Sequence, residues 1–332
     1  MRAALQRAWL RRGLLAALLL PVAWLFGLLA AIRRLAYRSG WLSTMRVSVP
    51  VVVVGNVVAG GSGKTPVVMA LVQHLQSRGI RCGVVSRGYG RDSHDCREVH
   101  PGSNARDVGD EPLLLARACG VPVFVAARRA DAARALLAAH PSTQIIVSDD
   151  ALQHYALERD VEVCVFDDRG IGNGWLLPAG PLREPWPRAV DLVVRTPGTQ
   201  GIEGHVVQRA LADFALAADG AQHPIDRLPA RPIVAVAGIA NPQAFFDMLR
   251  ARGIVLAQTV ALPDHATFDE PLATLPADVT LLCTQKDAVK LWPSRPDAWA
   301  VPLVVTFEES FWLALDRLVD AKLSSAHGPQ TA

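Results

Sequence analysis

Cysteine is scarce in this sequence, and its charges nearly cancel. The 332 residues include only five cysteines, none in Cys-x-x-Cys spacing, and carry a formal net charge of +3. Neither a zinc site nor a disulfide framework is indicated, and a reducing compartment fits. Without an acidic or basic bias there is no reason to expect a nucleic-acid partner. The length is sufficient for one large or two ordinary domains.

The most informative stretch lies between residues 48 and 75. Val51–Val54 is a continuous β-branched run, which is typical of a strand buried on both faces of a parallel sheet. A glycine-rich loop follows, and apolar residues then recur at helical spacing through Leu75. A strand, a glycine-rich loop, Gly-Lys-Thr and a helix form the context that a phosphate-binding loop requires.

The chemistry of a nucleotide triphosphate site explains the residue types in this loop. Its glycines carry no Cβ, so their N–H groups can turn inward around an anion. Lys64 would reach the β- and γ-phosphates, and Thr65 would offer its hydroxyl to Mg²⁺. The strict pattern has glycine where this chain has Val58, and the alternative is a plain glycine-rich turn. The predicted nucleotide-binding residues are Val58, Ala59, Gly60, Gly61, Ser62, Gly63, Lys64 and Thr65.

Residues 13–32 form an uncharged run dominated by Leu and Ala, with arginines on both sides. A single helix of this length would be roughly 30 Å long, just enough to cross a bilayer core. A cleaved signal peptide fits poorly, because the run is long and arginines follow it directly. Positive charge on both flanks suits a helix that lies in, or dips into, the cytoplasmic leaflet. Spanning, interfacial and buried core helices all stay open.

Strands and helices alternate after the loop, which predicts a parallel sheet with helices on both faces. Asp110 and Glu111 begin one helix. The structural explanation is that they cap the helix and compensate its dipole; the functional explanation is that one carboxylate points at the nucleotide. Asp149 and Asp150 end an apolar strand, as in a Walker B element that holds Mg²⁺. A rival acid pair ends the next strand, at residues 167–168.

Residues 170–188 interrupt the alternation with glycines and prolines, which predicts an extended, rigid segment. Arg183 within it could clamp a phosphate or form a surface salt bridge. A second strand–turn–helix unit begins near residue 231. His265, in a loop of that unit, suits proton transfer at neutral pH, although a loop histidine is more often a surface residue.

Several motifs together resemble one known family. They are Val54-Gly-Asn-Val-Val-Ala-Gly-Gly-Ser-Gly-Lys-Thr-Pro66, Ser86-Arg-Gly-Tyr-Gly90, Val108-Gly-Asp-Glu-Pro112, Ser148-Asp-Asp-Ala-Leu-Gln-His154, Pro178-Ala-Gly-Pro-Leu-Arg-Glu184, Gly238-Ile-Ala-Asn-Pro242, Asp264-His265 and Thr284-Gln-Lys-Asp287. With the N-terminal apolar helix, they resemble the tetraacyldisaccharide 4′-kinases, the lipid A 4′-kinases of Gram-negative bacteria. The resemblance runs from about residue 5 to about residue 320. Val58 is ordinary for that family, whereas Gln285 stands where glutamate is expected.

The resemblance implies an activity and roles for individual residues. The chain would transfer the γ-phosphate of ATP to the 4′-hydroxyl of a tetraacylated glucosamine disaccharide 1-phosphate, a membrane-embedded glycolipid, to form lipid IVA. Asp110 would be the base, paired with His265. The implied catalytic residues are Asp110, His265, Lys64 and Arg183. The implied Mg²⁺ ligands are Thr65, Glu111, Asp149 and Asp150.

The resemblance also implies how the chain is organised. Residues 1–40 would form a membrane-associated helix, 41–225 a P-loop kinase core, 226–323 a smaller α/β domain and 324–332 a disordered tail. The enzyme would lie at the cytoplasmic face of the bacterial inner membrane, attached through its N-terminal helix. The alternatives are a membrane-attached regulatory NTPase without a lipid acceptor, and a soluble small-molecule kinase with a buried N-terminal helix.

Overall fold

The valine run after Pro50 forms the central strand of the larger sheet. The computed structural model describes residues 8–229, 231–264, 266 and 278–326. In it, β1 (Val51–Gly55) is buried at every position and pairs in parallel with β5 (Ile145–Asp149) and β6 (Val161–Phe166). A strand with neighbours on both sides and cover on both faces has no exposed position, which is why an uninterrupted apolar run is favoured.

Nine strands form this larger sheet. Besides β1, β5 and β6 they are β2 (Cys82–Ser86), β3 (Arg97–Glu98), β4 (Val123–Val125), β7 (Leu192–Arg195), β8 (His205–Leu211) and β15 (Leu303–Phe307). Their order is β15-β8-β7-β6-β1-β5-β2-β4-β3. The two edge pairs, β15 with β8 and β3 with β4, are antiparallel, and the pairs between them are parallel. The C-terminal ends of β1, β2 and β5 therefore meet at one edge of the sheet.

Helices cover both faces of the larger sheet. On one face lie α3 (Lys64–Ser77), α5 (Asp110–Cys119) and α9 (Glu309–Ala326), and on the other lies α6 (Arg129–Ala139). Along β1, residues 52 and 54 join the first core cluster and residues 51 and 53 the second. This alternation is what the two-residue period of a strand requires. The other helices are α1 (Leu14–Leu18), α2 (Leu20–Arg38), α4 (Ala105–Val108), α7 (Pro242–Ala251) and α8 (Gln285–Leu291).

A smaller, six-stranded sheet follows in the chain. Its strands are β9 (Phe214–Leu216), β10 (Gln222–Pro224), β11 (Ile233–Ala237), β12 (Leu256–Ala261), β13 (Thr280–Thr284) and β14 (Trp299–Val301). Their order is β10-β9-β14-β13-β11-β12, with parallel pairing from β14 to β12. Phe245 and Phe246 of α7 are buried against one side of this sheet, and Leu291 of α8 joins a second buried cluster.

After β14 the chain returns to the larger sheet. β15 pairs with β8, and α9 buries Phe311, Leu315 and Val319, at helical spacing, in the same core cluster as α3. Residues 303–323, which the sequence analysis assigns to the smaller domain, therefore lie with the larger sheet. Because α9 continues to Ala326, residues 324–326 are helical and not part of a disordered tail. The remainder of the predicted tail, 327–332, lies outside the described residues.

The N-terminal uncharged run forms two helices, where the sequence analysis assumed one. α1 ends at Leu18 and α2 begins at Leu20, since Pro21 has no N–H and its ring clashes with the preceding turn. By length and composition α2 can cross a membrane, and only 6% of its apolar window is buried. Trp24 is 69% exposed and its leucine neighbours more than half exposed, which excludes a buried core helix. The predicted fold class is thus confirmed: an α/β protein with a P-loop NTPase-like parallel sheet, a smaller second α/β unit and an N-terminal apolar helix.

Candidate active site

The glycine-rich loop lies at the C-terminal edge of the larger sheet, between β1 and α3. Gly60 and Gly63 have φ values of 99° and 74°, in the region that favours glycine. Asn56 Nδ2 donates to Ser62 Oγ at 2.7 Å, and both side chains are buried. Gly63, which precedes α3, has no side chain that could cap its start. The first N–H groups of α3 therefore face the loop without an intrahelical partner, as an anion-binding helix end requires.

Val58, where the strict pattern has glycine, belongs to a short bridge between backbones. An antiparallel bridge links it to the proline-rich segment. Ala59 N–H donates to the carbonyl of Pro181 at 2.7 Å, and Arg183 N–H donates to the carbonyl of Val57 at 2.7 Å. Bridged, extended backbone suits any L-residue, so glycine is not needed here. The bridge also fixes the segment that carries Arg183 beside the phosphate loop.

Lys64 and Arg183 both contact Asp150. The Lys64 Nζ lies 3.6 Å from Asp150 Oδ1, and Arg183 Nη1 lies 3.0 and 3.2 Å from the two carboxylate oxygens. Arg129 Nη2 donates to the backbone carbonyl of Asp150 at 2.7 Å. Burial opposes ionisation of Asp150, but Lys64 and Arg183 outweigh it and lower the pKa of this carboxyl. The salt bridge that sequence reasoning left open for Arg183 is therefore formed inside the site.

Asp149 is the buried acid of the pair. It ends β5, is 1% exposed, and accepts from Ser86 Oγ at 3.4 Å through Oδ2, while Oδ1 has no hydrogen-bond partner among the described residues. Burial, with the charge of Glu111 next, raises the pKa of Asp149 to about 7. A buried carboxylate with an open oxygen beside a second carboxylate fits a divalent cation, which would relieve their repulsion. Thr65 is half-buried in the first turn of α3.

The described residues contain no group of three or more His, Cys, Asp and Glu that could enclose a metal ion. The rival acids have other partners. Asp167 contacts Arg169 at 2.7 Å, and Asp168 accepts a hydrogen bond from the Thr196 hydroxyl.

Asp110 and Glu111 face two lysines of the smaller sheet's helix α8. Lys290 Nζ lies 2.9 Å from Asp110 Oδ2, and Lys286 Nζ lies 3.0 Å from Glu111 Oε1. Lys286 also lies 3.2 Å from Asp264 Oδ1. Both acids at the start of α5 are thus ion-paired across the boundary between the two sheets. The sequence analysis quotes Lys286 within Thr284-Gln-Lys-Asp287 without giving it a role, and it does not single out Lys290, because an isolated basic residue on a helix carries no local motif signal.

The motif Thr284-Gln-Lys-Asp287 explains how α8 is held. The Thr284 hydroxyl accepts from the Asp287 N–H at 3.1 Å and donates to Asp287 Oδ2 at 2.6 Å. That carboxylate also accepts from the Gly238 N–H at 3.0 Å. The cap therefore ties α8 to the end of β11 and sets the direction of Lys286.

The N-terminal segment packs on the proline-rich segment. Trp9 Nε1 donates to the carbonyl of Pro178 at 2.9 Å, and Arg33 Nη1 donates to the carbonyl of Gln153 at 3.2 Å. A Cβ on Gly27 would lie 2.6 Å from a leucine methyl of the proline-rich segment. The apolar helix is therefore attached to the same segment as Arg183. His265, the remaining predicted site residue, lies outside the described residues.

Comparison with known proteins agrees with these features. The family model described as tetraacyldisaccharide-1-P 4′-kinase (LpxK) matches residues 15–320. A tetraacyldisaccharide 4′-kinase from Polaromonas naphthalenivorans (strain CJ2) is 56% identical and covers 100% of both chains. One from Acidovorax ebreus (strain TPSY) is 57% identical, over 97% of this chain and 96% of the relative.

A solved structure is similar as well. It is described as an "apo" form of LpxK from Aquifex aeolicus in complex with ATP, is 29% identical, and superposes with a TM-score of 0.81 over 93% of this chain and 100% of that one. The resemblance inferred from the motifs is confirmed. The chain belongs to the tetraacyldisaccharide 4′-kinase family.

Proposed function

We propose that this chain transfers the γ-phosphate of ATP to the 4′-hydroxyl of tetraacyldisaccharide 1-phosphate, forming lipid IVA. The observation that carries the proposal is the meeting of four groups at one sheet edge: the phosphate loop, Lys64, the buried acid Asp149 and the acids that begin α5. Family membership supplies the acceptor, because the relatives are described as tetraacyldisaccharide 4′-kinases. Membership of this family does not favour the alternative of a regulatory NTPase without a lipid acceptor.

The phosphate loop would hold the triphosphate. Its N–H groups and the start of α3 would surround the β-phosphate, and Lys64 would stabilise charge on the transferring phosphoryl group. The Lys64 Nζ lies 3.6 Å from Asp150 Oδ1, and a bound phosphate would compete with that carboxylate for it. Arg183, held beside the loop by the backbone bridge, would contact the same phosphates.

Asp149, Glu111 and Thr65 would hold Mg²⁺, with Asp150 as a further ligand. When bound, the metal ion would neutralise charge on the phosphate oxygens. The protein's own contribution is the buried oxygen of Asp149, which has no other partner in the described structure. Glu111 would have to leave Lys286, or share its carboxylate with it.

Asp110 would accept the proton of the acceptor hydroxyl, assisted by His265. An imidazole oriented by a carboxylate is a better proton acceptor than either group alone. Since Lys290 contacts Asp110 from the second sheet, a shift of that sheet would change the environment of the base. We propose in addition that the two units move relative to each other; the smaller unit begins at β9, before the division that the sequence analysis places at residues 225/226.

The N-terminal helix would hold the enzyme at the cytoplasmic face of the bacterial inner membrane. A four-acyl substrate leaves a bilayer only at about 0.8 kcal/mol per CH₂, so the enzyme must meet it at the surface. The exposed apolar side chains of α2 suit that surface, and α2 contacts the segment that carries Arg183. Deleting residues 1–35 should weaken lipid phosphorylation far more than ATP binding.

A labelling experiment tests the proposal. The full chain, in vesicles containing tetraacyldisaccharide 1-phosphate, is given Mg²⁺ and γ-labelled ATP, and label in the glycolipid is measured. Lys64→Ala should abolish transfer, and Asp110→Asn and His265→Ala should lower kcat more than ATP affinity. Lys322→Ala serves as the control, because Lys322 contacts Asp160 before β6, at the opposite end of the sheet. ATP hydrolysis at an equal rate with and without the lipid, and no labelled glycolipid, would falsify the proposal and favour the regulatory NTPase.

A further inference from the structure

Two arginines from outside the phosphate-loop motif donate hydrogen bonds to backbone carbonyls of that loop, and the side that these carbonyls face is here called its outer side. Arg169 follows β6, and Arg209 is in β8. The Nη2 group of Arg169 donates to the carbonyl of Gly61 at 2.8 Å, and its Nη1 group donates to that of Ala59 at 3.4 Å. The Nη2 group of Arg209 donates to the carbonyl of Ser62 at 2.6 Å. Three carbonyls of one short loop are thus bound by guanidinium groups.

The glycines of the loop leave room for these guanidinium groups. A Cβ on Gly63 would lie 2.6 Å from Nη2 of Arg209, and a Cβ on Gly60 would lie 3.1 Å from Nη1 of Arg169. A side chain at either position would therefore press on an arginine that is already hydrogen-bonded to the loop. The nearby guanidinium groups are therefore a second reason, besides the positive φ values, why glycine is favoured at these two positions.

Arg169 is held in place by a carboxylate, whereas Arg209 is buried and its Nε has no hydrogen-bond partner among the described residues. Asp167 accepts from Arg169 Nε at 3.0 Å and from its Nη2 at 2.7 Å through Oδ2. Burial lowers the pKa of Arg209, while the charges of Asp167 and Asp168 oppose that shift. Arginine keeps its charge even so, and the planar guanidinium of Arg169, fixed by the Asp167 carboxylate, is a preorganised donor.

We propose that Arg169 and Arg209 are positioning residues of the triphosphate site, an inference that rests on the proposed function. In a trans peptide the C=O of one residue and the N–H of the next point in opposite directions. Binding the carbonyls of residues 59, 61 and 62 on the outer side therefore turns the N–H groups of residues 60, 62 and 63 toward the inner side. The arginines thus orient the amide groups that surround a phosphate, although they touch no phosphate themselves.

This role differs from general support of the fold. Without the two arginines the loop would have to be ordered by the nucleotide, and ordering costs affinity. The loss should fall on ligands with a β-phosphate and leave the lipid site unaffected. A purely structural role would lower melting temperature and all activities together.

The test measures binding of Mg-ATP to the full chain by calorimetry. Arg169→Met and Arg209→Met should each weaken it about tenfold, in line with the loss of a charged hydrogen bond. The KM for ATP should rise while the KM for the lipid changes less than about twofold. Arg81→Met is the matched control, because Arg81 Nε donates to the carbonyl of Ser142 at 2.6 Å at the opposite end of the sheet.

Two further measurements keep the inference testable if a Met variant folds poorly. Arg169→Lys and Arg209→Lys retain a charge and one donor, so ATP affinity should lie between that of wild type and the Met variants. In the absence of nucleotide, amide hydrogen exchange at residues 60–64 should be faster in the variants than in Arg81→Met. The positioning role would be overturned if folded Met or Lys variants bound Mg-ATP as tightly as Arg81→Met does and exchanged their loop amides at the same rates as Arg81→Met. Failure of wild type to bind Mg-ATP would overturn the proposed function with it.

Discussion

Replacing Lys286 by methionine should weaken the contact between the two sheets and thereby destabilise the protein. Lys286 Nζ lies 3.0 Å from a carboxylate oxygen of Glu111 on α5 and 3.2 Å from one of Asp264 on the smaller unit. Burial lowers the pKa of Lys286, but the two carboxylates outweigh burial and the net shift is upward, so the lysine is charged over the whole practical pH range. Methionine keeps much of the volume and removes the charge.

The size of the effect follows from burial. The Lys286 side chain is 17% exposed and that of Glu111 is 29% exposed, so the pair is partly buried. Exposed ion pairs contribute about 0–1 kcal/mol to stability, and disrupting a fully buried pair costs about 3–5 kcal/mol. The effect at Lys286 should lie between these two limits. We expect Lys286→Met to lower the free energy of unfolding by about 2 kcal/mol. We expect a coupling energy of about 1 kcal/mol with Glu111→Gln in a double-mutant cycle.

Urea unfolding of the two single variants, the double variant and wild type, without nucleotide, measures this coupling. The control cycle uses Arg46 and Glu158, whose side chains are 65% and 42% exposed, and which should couple by less than about 0.5 kcal/mol. Equal coupling in the two cycles would refute the argument that burial strengthens the contact at Lys286.

Three other changes have defined outcomes. Burial, followed by the charge of Arg129, lowers the pKa of His154 to about 3, so between about pH 6.5 and 3 the unfolded chain binds a proton that the folded chain does not. The stability from this group is therefore lost as the pH falls, and denaturant titrations from pH 7 to 5 should show a smaller loss for His154→Asn than for wild type. Thr284→Val removes the cap of α8 and should lower the free energy of unfolding by about 1 kcal/mol. Thermal unfolding measures this loss, and an unchanged melting temperature would contradict the role of the cap. Leu25→Ser with Leu29→Ser, on the exposed side of α2, should reduce vesicle binding in flotation without lowering melting temperature, and undiminished flotation would argue against the membrane surface.

Local pattern predicted the parts of the site that depend on neighbouring residues. The valine run, the glycines and Lys64 lie within fifteen positions of one another, so strand period, loop chemistry and helix start could be inferred together. The position of Asp149 followed from a rule of topology, since the C-terminal ends of parallel strands share one edge. The smaller sheet was also indicated by its strand–turn–helix pattern.

Contacts between distant residues could not be inferred in this way. Lys286 meets Glu111 over 175 positions and Arg209 meets Ser62 over 147, and no periodicity records such pairs. The assignment of residues 303–323 to the smaller domain failed for the same reason, because β15 looks like any short apolar strand until its partner is known. The break before Leu20 could have been predicted from Pro21, whose effect on a helix is local.

The return of the chain at β15 makes the smaller sheet an insertion in the larger one. The outgoing strands β8 and β9 are separated by two residues, and the returning strands β14 and β15 by one. Leu211 faces Leu303 across the first pair, and Leu216 faces Ala300 across the second. The joint is therefore a continuous antiparallel ribbon and not a pair of loose tethers. Any rotation of one unit against the other must therefore deform both strands of the ribbon at once.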